Sequence, residues 1–155
     1  MCIRDRRKLL AFMAPEGPFL VFERDGVEYL DPKAYTRYDR IALAFASLDA
    51  EKTAGVYRKL RPWLNQAYGQ MGRPGRTFEQ ALADAVQQLA DVPIVEDDIP
   101  LAREEVNLKF QDEALEGMSQ AAKHLLRMGP ENIRRVKAKL EELRGALGLP
   151  RPSGK

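Results

Sequence analysis

Side chains that make and break bonds are scarce in this chain. His124 is its one imidazole and Cys2 its one thiol, so a serine triad or a Cys–His pair would have to be built around His124. The serines are Ser47, Ser119 and Ser153. The first two stand at expected helix starts, the third lies in the tail, and no Gly-x-Ser-x-Gly turn occurs. His124 sits beside Leu125 on an expected helix, which favours a half-buried, hydrogen-bonded packing role over that of a base. The same counts exclude a Cys/His zinc site and a disulfide framework. These absences weigh against an enzyme, and no catalytic residue, metal ligand or cofactor is assigned.

Carboxylates are plentiful. Between Asp91 and Glu116 nine acids stand against Arg103 and Lys109, a local charge of −7. Asp97 with Asp98, and Glu113 with Glu116, are chemically able to hold a cation or share a proton. No EF-hand spacing accompanies them, and a charge run is usually a solvated face. Gly69, Gly72 and Gly75 lie three apart around Pro74, the pattern of a helix stop and turn rather than a phosphate cradle. From Gln120 to Lys155 the balance reverses to +6, on a chain whose net charge is +2. Opposed blocks suit attraction within the fold, across a dimer or toward a partner. The overall balance argues against a protein that mainly grips nucleic acid. Leu125 to Ile133 has a faint likeness to a helix-hairpin-helix turn. Yet Arg134, Arg135, Lys137 and Lys139 point several ways with Glu141 and Glu142 among them, whereas phosphate tracking wants one basic stripe.

The first half is rich in aromatic side chains, which combine apolar area with a polar tip and suit binding surfaces. Tyr35, Tyr38, Tyr57 and Tyr68 fall at helical spacing, which more often marks the rim of a core than a ligand box. Trp63 and Arg37 stand off those stripes and are the better surface candidates. The candidate binding residues are Arg37, Tyr38, Trp63 and Arg127, with a pocket near Arg37, Tyr38 and Arg127 as the site of a small-ligand or enzymatic alternative.

The elements that must position these residues are mostly helical. At 155 residues the chain is one domain's worth, with 45% hydrophobic and 31% charged residues, ordinary for a soluble fold. Arg24-Asp25-Gly26 between two β-leaning runs, Phe19 to Glu23 and Val27 to Leu30, reads as a hairpin turn. Asp31-Pro32 starts a helix whose face carries Tyr35, Tyr38, Ile41, Ala42, Phe45 and Leu48. Asp49 caps the next, with a stripe of Val56, Tyr57, Leu60, Leu64, Ala67, Tyr68 and Met71, a kink at Pro62, and a stop at Gly72. Thr77 and Gln80 form a capping box for a third helix. Val92 to Glu105 reads as a surface loop, and Val106, Leu108 and Phe110 leave room for one short strand. Ser119 caps a helix reaching Met128, and Gly129-Pro130 restarts the chain. The last helix has a seam of Ile133, Val136, Leu140, Leu143 and Leu147. The expected fold is mainly α: about five helices packed with one small N-terminal β-hairpin and room for one further short strand. Residues 9–149 form the single globular domain and 150–155 a disordered tail. Residues 1–6, Met1-Cys2-Ile3-Arg4-Asp5-Arg6, read as a non-native leader of the kind left by translated sequencing adapter, so the native chain is expected to begin further upstream.

A set of separated motifs carries a resemblance. They are Tyr35-Thr36-Arg37-Tyr38-Asp39, Leu48-Asp49, Tyr57-Arg58-Lys59-Leu60-Arg61-Pro62 and Gln66-Ala67-Tyr68, then Gly72 and Phe78. Above all they include Leu126-Arg127-Met128-Gly129-Pro130-Glu131-Asn132, followed by Val136-Lys137-Ala138-Lys139-Leu140. In this order, from about Pro15 to Leu149, the chain resembles a bacterial family known as domain of unknown function 3014. The resemblance implies one N-terminal membrane-spanning helix, a Pro-rich linker and this domain on the periplasmic side of the inner membrane. It implies no reaction, ligand or cofactor. The chain as it stands reads as soluble, with unbroken apolar runs such as Ile41 to Ala46 far short of the ~20 residues that span a bilayer. The leading expectation is a non-enzymatic envelope domain that binds a protein partner or itself. Nucleic-acid binding through the basic C-terminal helices ranks third.

Overall fold

In the computed structural model the described residues are Pro15, 17–71, 75–104 and 107–150. The expected leader, the helix stop at Gly72 and Pro74, Val106, and the tail beyond Pro150 lie outside them.

Two strands form first along the chain, β1 (Val21–Arg24) and β2 (Val27–Leu30). They are joined through Asp25 at φ 53° and Gly26 at φ 76°, the two positive angles that a type I′ turn demands. Phe22 and Tyr29 face each other across the ladder and stack at 5.4 Å. The hairpin does not stand alone. Strands β3 (Pro100–Glu104) and β4 (Asn107–Phe110) continue it into a four-stranded antiparallel sheet in the order β1-β2-β3-β4. This corrects the expectation of one hairpin and at most one further strand, and of a surface loop from Val92 to Glu105. Leu101 is the one buried side chain of β3, so almost no alternation marks it. Its strand character comes from pairing with β2, at Glu28 opposite Leu101 and Tyr29 opposite Pro100. Arg103 makes a bidentate ion pair with Glu28 across that ladder. Pro100 opens the strand, where its missing N–H costs no ladder bond.

The helical part begins with a 3-10 helix (Pro32–Tyr38), whose start is capped by Asp31 accepting from the Lys33 N–H at 2.8 Å. It runs directly into α1 (Asp39–Ala46). Asp49 caps α2 (Ala50–Gln70) by accepting from the Lys52 N–H at 2.9 Å, and Pro62 lies inside that helix. The reciprocal bonds of Thr77 and Gln80 open α3 (Phe78–Ala90). After the sheet come a single turn, α4 (Glu113–Glu116), then α5 (Gln120–Leu126) capped by Ser119, and α6 (Gly129–Leu147) closed by Gly148 at φ 65°. With six α-helices among the described residues, the fold is mainly α.

Helix α6 is the axis of the core. Its Ile133, Val136, Leu140 and Leu143 are buried, and Leu147 packs at the edge. Against it lie Ala42 of α1, Ala83 and Val86 of α3, and Leu125 and Leu126 of α5, with Leu30, Leu101 and Phe110 from the sheet. Helix α2 departs from expectation. Only Ala54 on it is buried, and Tyr57 and Tyr68 turn inward to meet Phe78 at 6.4 and 6.0 Å. Val56, Leu60 and Met71, read as part of the inward stripe, face solvent instead. Among the described residues no helix is long and apolar enough to cross a membrane.

Candidate functional site

The turn between α5 and α6 meets the 3-10 helix through two residues suited to close approach. Gly129 has φ +81°, and a Cβ there would lie 2.5 Å from Cδ2 and 2.9 Å from Cβ of Tyr35. Only a residue without a side chain lets the Tyr35 ring rest on this backbone. One turn on, Asn132 is almost fully buried. Its Nδ2 donates to Asp39 Oδ1 at 2.8 Å and to the Met128 carbonyl at 3.0 Å, and its Oδ1 accepts from Arg135 at 2.9 Å. Burial of an amide is tolerated because its hydrogen bonds are made. The start of α6 is thereby clamped to the junction of the 3-10 helix and α1.

This clamp sets Arg37 and Tyr38, at the end of the 3-10 helix, beside Arg127 in the turn after α5. With His124 of α5, Asn107 and Leu108 of β4, and Pro15 and Phe19, they line a cleft of about 520 Å³. The Arg37 guanidinium lies 5.4 Å from the centroid of the Tyr38 ring, and its Nε is buried with no acceptor among the described residues. Arg127 lies 5.4 Å from the centroid of Phe110. The described lining therefore holds two guanidiniums, an imidazole, a phenol and an amide, and no carboxylate. Such a cleft can accept an anion, because a guanidinium offers a planar fork of donors matched to carboxylate or phosphate.

Three of the four sequence-predicted residues, Arg37, Tyr38 and Arg127, come together here. Trp63 does not: it stands on α2, exposed, and is not part of the lining. His124 differs from expectation, because it is exposed rather than half-buried. Its neighbours Lys123 and Leu125 take the inward directions. Residues three apart share a helix face, so the step from His124 to Arg127 carried a signal that both belong to one surface. His124 also borders a second, apolar cavity of about 400 Å³ beside Ile41, Phe45, Leu89, Met128 and Leu140.

The charged blocks are largely spent inside the fold. Glu96 of the acidic stretch pairs with Arg134, Asp98 with Arg24 at 2.9 Å, and Glu116 with Lys123 at 2.6 Å. Lys123, and secondly the Phe110 N–H, hold the Glu116 carboxyl below its ordinary range. Among the described residues no three His, Cys, Asp or Glu side chains converge as metal ligands would. On α6, Arg135 pairs with Glu131, the Lys137 ammonium donates to the Val92 carbonyl, and the Lys139 ammonium to the Leu48 carbonyl. The basic helix is thus tied into the domain rather than aligned as a free stripe. Gly129, the one glycine of the helix-hairpin-helix likeness, faces Tyr35.

Two of the stretches that carry the family resemblance, Tyr35 to Asp39 and Leu126 to Asn132, meet at this clamp and cleft. No curated protein matches the chain, and no solved structure does. A family model described as a protein of unknown function, DUF3014, matches residues 4–144, and the chain belongs to that family.

Proposed function

We propose that this chain is a non-enzymatic binding domain of the bacterial cell envelope, and that it takes an acidic, partly apolar stretch of a protein partner into the cleft at Arg37 and Arg127. The observation that carries this is the lining itself: two guanidiniums beside an imidazole, apolar contacts from Phe19 and Leu108, and no carboxylate among the described residues. Arg37, half-buried beside the Tyr38 ring, and Arg127 supply the guanidinium donors that a ligand's carboxylate would pair with. Placement in the envelope rests on the family resemblance.

The test is fluorescence anisotropy of labelled peptides that combine Asp or Glu with Phe or Leu, against matched peptides with Lys in place of the acids. Acidic peptides should bind, weaken as salt rises to about 0.5 M, and lose about tenfold affinity with Arg37→Gln or Arg127→Gln, the loss of a charge-assisted pair. Equal affinity for acidic and basic peptides, or binding unchanged in both variants, would refute the proposal. A second reading, a small anionic ligand, is favoured by the cleft volume, which lies in the ~300–1,000 Å³ range of small-molecule sites. A rise in melting temperature with free dicarboxylates or inorganic phosphate, without peptide binding, would select it. Nucleic-acid binding is not proposed, since the cations of α6 already have partners within the domain.

A further inference from the structure

Helix α2 turns one face to the domain and another, unusually apolar, to solvent. Val56, Leu60, Trp63, Ala67 and Met71 step by four, three, four and four, which keeps them within one stripe of a helix. All are exposed: Trp63 at 66%, Met71 at 71%, Val56 at 57% and Leu60 at 40%. From Val56 to Met71 the stripe runs about 23 Å at 1.5 Å per residue. Single exposed apolar residues are ordinary, but an aligned row containing a tryptophan is a surface waiting for a partner.

The charge around the row selects that partner. Lys52, Arg58 and Lys59 are exposed on the same helix, Glu51 is its one acid, and the Lys52 ammonium lies 3.4 Å from the capping Asp49 carboxylate. Lys52 and Lys59 lie along one border of the stripe, as the helical step of 100° per residue places them. Two copies laid face to face would bring cation against cation. A protein partner that inserts a helix wants a groove, whereas this stripe is a ridge on a single helix. A ridge of bulky apolar side chains with a tryptophan, bordered by lysines, fits the boundary of an anionic bilayer, where the apolar row enters the headgroup layer and the ammonium groups meet lipid phosphates. We propose that this face of α2 docks the domain on a membrane surface rich in anionic lipid.

Trp63 is the chain's one tryptophan, so its emission reports on this face alone. The full chain should be titrated with vesicles of phosphatidylglycerol and phosphatidylcholine, and with vesicles of phosphatidylcholine only. Emission should move to shorter wavelength and protein should co-sediment with the anionic vesicles, much less with the neutral ones, and less at high salt. Trp63→Ser, followed by sedimentation, should lower the partition coefficient by about tenfold or more, given the apolar area removed. The pair Lys52→Glu and Lys59→Glu should lower it with the tryptophan in place. Because these side chains are exposed, circular dichroism of the variants should match the parent. Unchanged emission at saturating anionic lipid would overturn the proposal. So would sedimentation that neither variant weakens, which would place membrane contact elsewhere on the chain. Blue-shifted emission with a dimeric mass in the absence of lipid would make a second copy the occupant instead.

Discussion

Replacing Gly129 by Ala tests the contact that holds the cleft together. Two costs add. Gly129 sits at φ +81°, a left-handed conformation that costs an L-residue roughly 1–2 kcal/mol. The new methyl would also lie 2.5 Å from Cδ2 and 2.9 Å from Cβ of Tyr35, well inside the ~3.5–4.0 Å optimum for carbon pairs. One of those atoms is the Tyr35 Cβ, so a rotation of the ring cannot relieve the overlap and the 3-10 helix must shift. Overpacking of this kind costs about 1–3 kcal/mol, for a total of roughly 2–5 kcal/mol. Urea unfolding followed by circular dichroism should show the midpoint fall with the slope unchanged. The same substitution in a Tyr35→Gly background, which removes the Tyr35 Cβ as well as the ring, should cost only the backbone part, leaving a coupling of about 1–3 kcal/mol between the two positions. A Gly129→Ala protein within about 0.5 kcal/mol of its parent, or a cycle in which the two changes simply add, would refute the assignment of this glycine.

Four further expectations rest on other contacts of the fold. Asn132→Ala removes the amide shared by Asp39 and the Met128 carbonyl at a buried position, and should cost about 2–3 kcal/mol in the same urea assay. Glu116→Gln leaves Lys123, whose side chain is only 9% exposed, without its counter-charge, and should lower stability by about 2 kcal/mol. The pH dependence follows from the same pair and from Glu28, which Arg103 holds below its ordinary range. Both carboxyls titrate lower in the folded than in the unfolded chain, so their stabilisation is complete at neutral pH. It fades as pH falls from the ordinary value of 4.5 through the depressed ones. The urea midpoint should drop across that window, less steeply in Glu116→Gln, and an identical slope in parent and variant would contradict it. Thr77→Ala should cost about 1 kcal/mol through loss of the capping box at α3, read from the melting temperature.

What could be read in the sequence was governed by range. Asp25-Gly26, Asp31, Asp49, Thr77 with Gln80 and Ser119 each act on backbone within three residues, so their types announced a turn or a helix start that the structure contains. The α6 seam was legible because this helix lies at the centre and buries the side its periodicity marks. Strand β3 was not, because one inward leucine makes no pattern and its pairing partners, Glu28 and Tyr29, are far back in the chain. On α2 the periodicity correctly marked apolar positions but not which of them would find a partner. Tyr57 and Tyr68 meet Phe78, while Leu60 and Met71 stay exposed. For the cleft, residue type singled out Arg37, Tyr38 and Arg127. Their meeting depends on Gly129 and Asn132, whose roles are invisible until Tyr35 and Asp39 are known to lie opposite. His124 and Asn107 join the lining through the same long-range folding.

The way the sheet is threaded has a consequence for how the chain can be cut. The first hairpin finds its neighbour only when Pro100 and Leu101 arrive, and the Leu30 amide bonds the Ile99 carbonyl at the same seam. Ribosomal synthesis must therefore complete β1, β2 and the first three helices before the second half of the ladder exists, and closing so long a loop is entropically slow. A fragment ending before Ile99 would carry β2 with one side bare, an invitation to pair with another chain. Expression boundaries placed between Leu30 and Phe110 should yield aggregating pieces, whereas insertions at the Asp25-Gly26 tip, where backbone groups already face water, should be borne without loss of the whole.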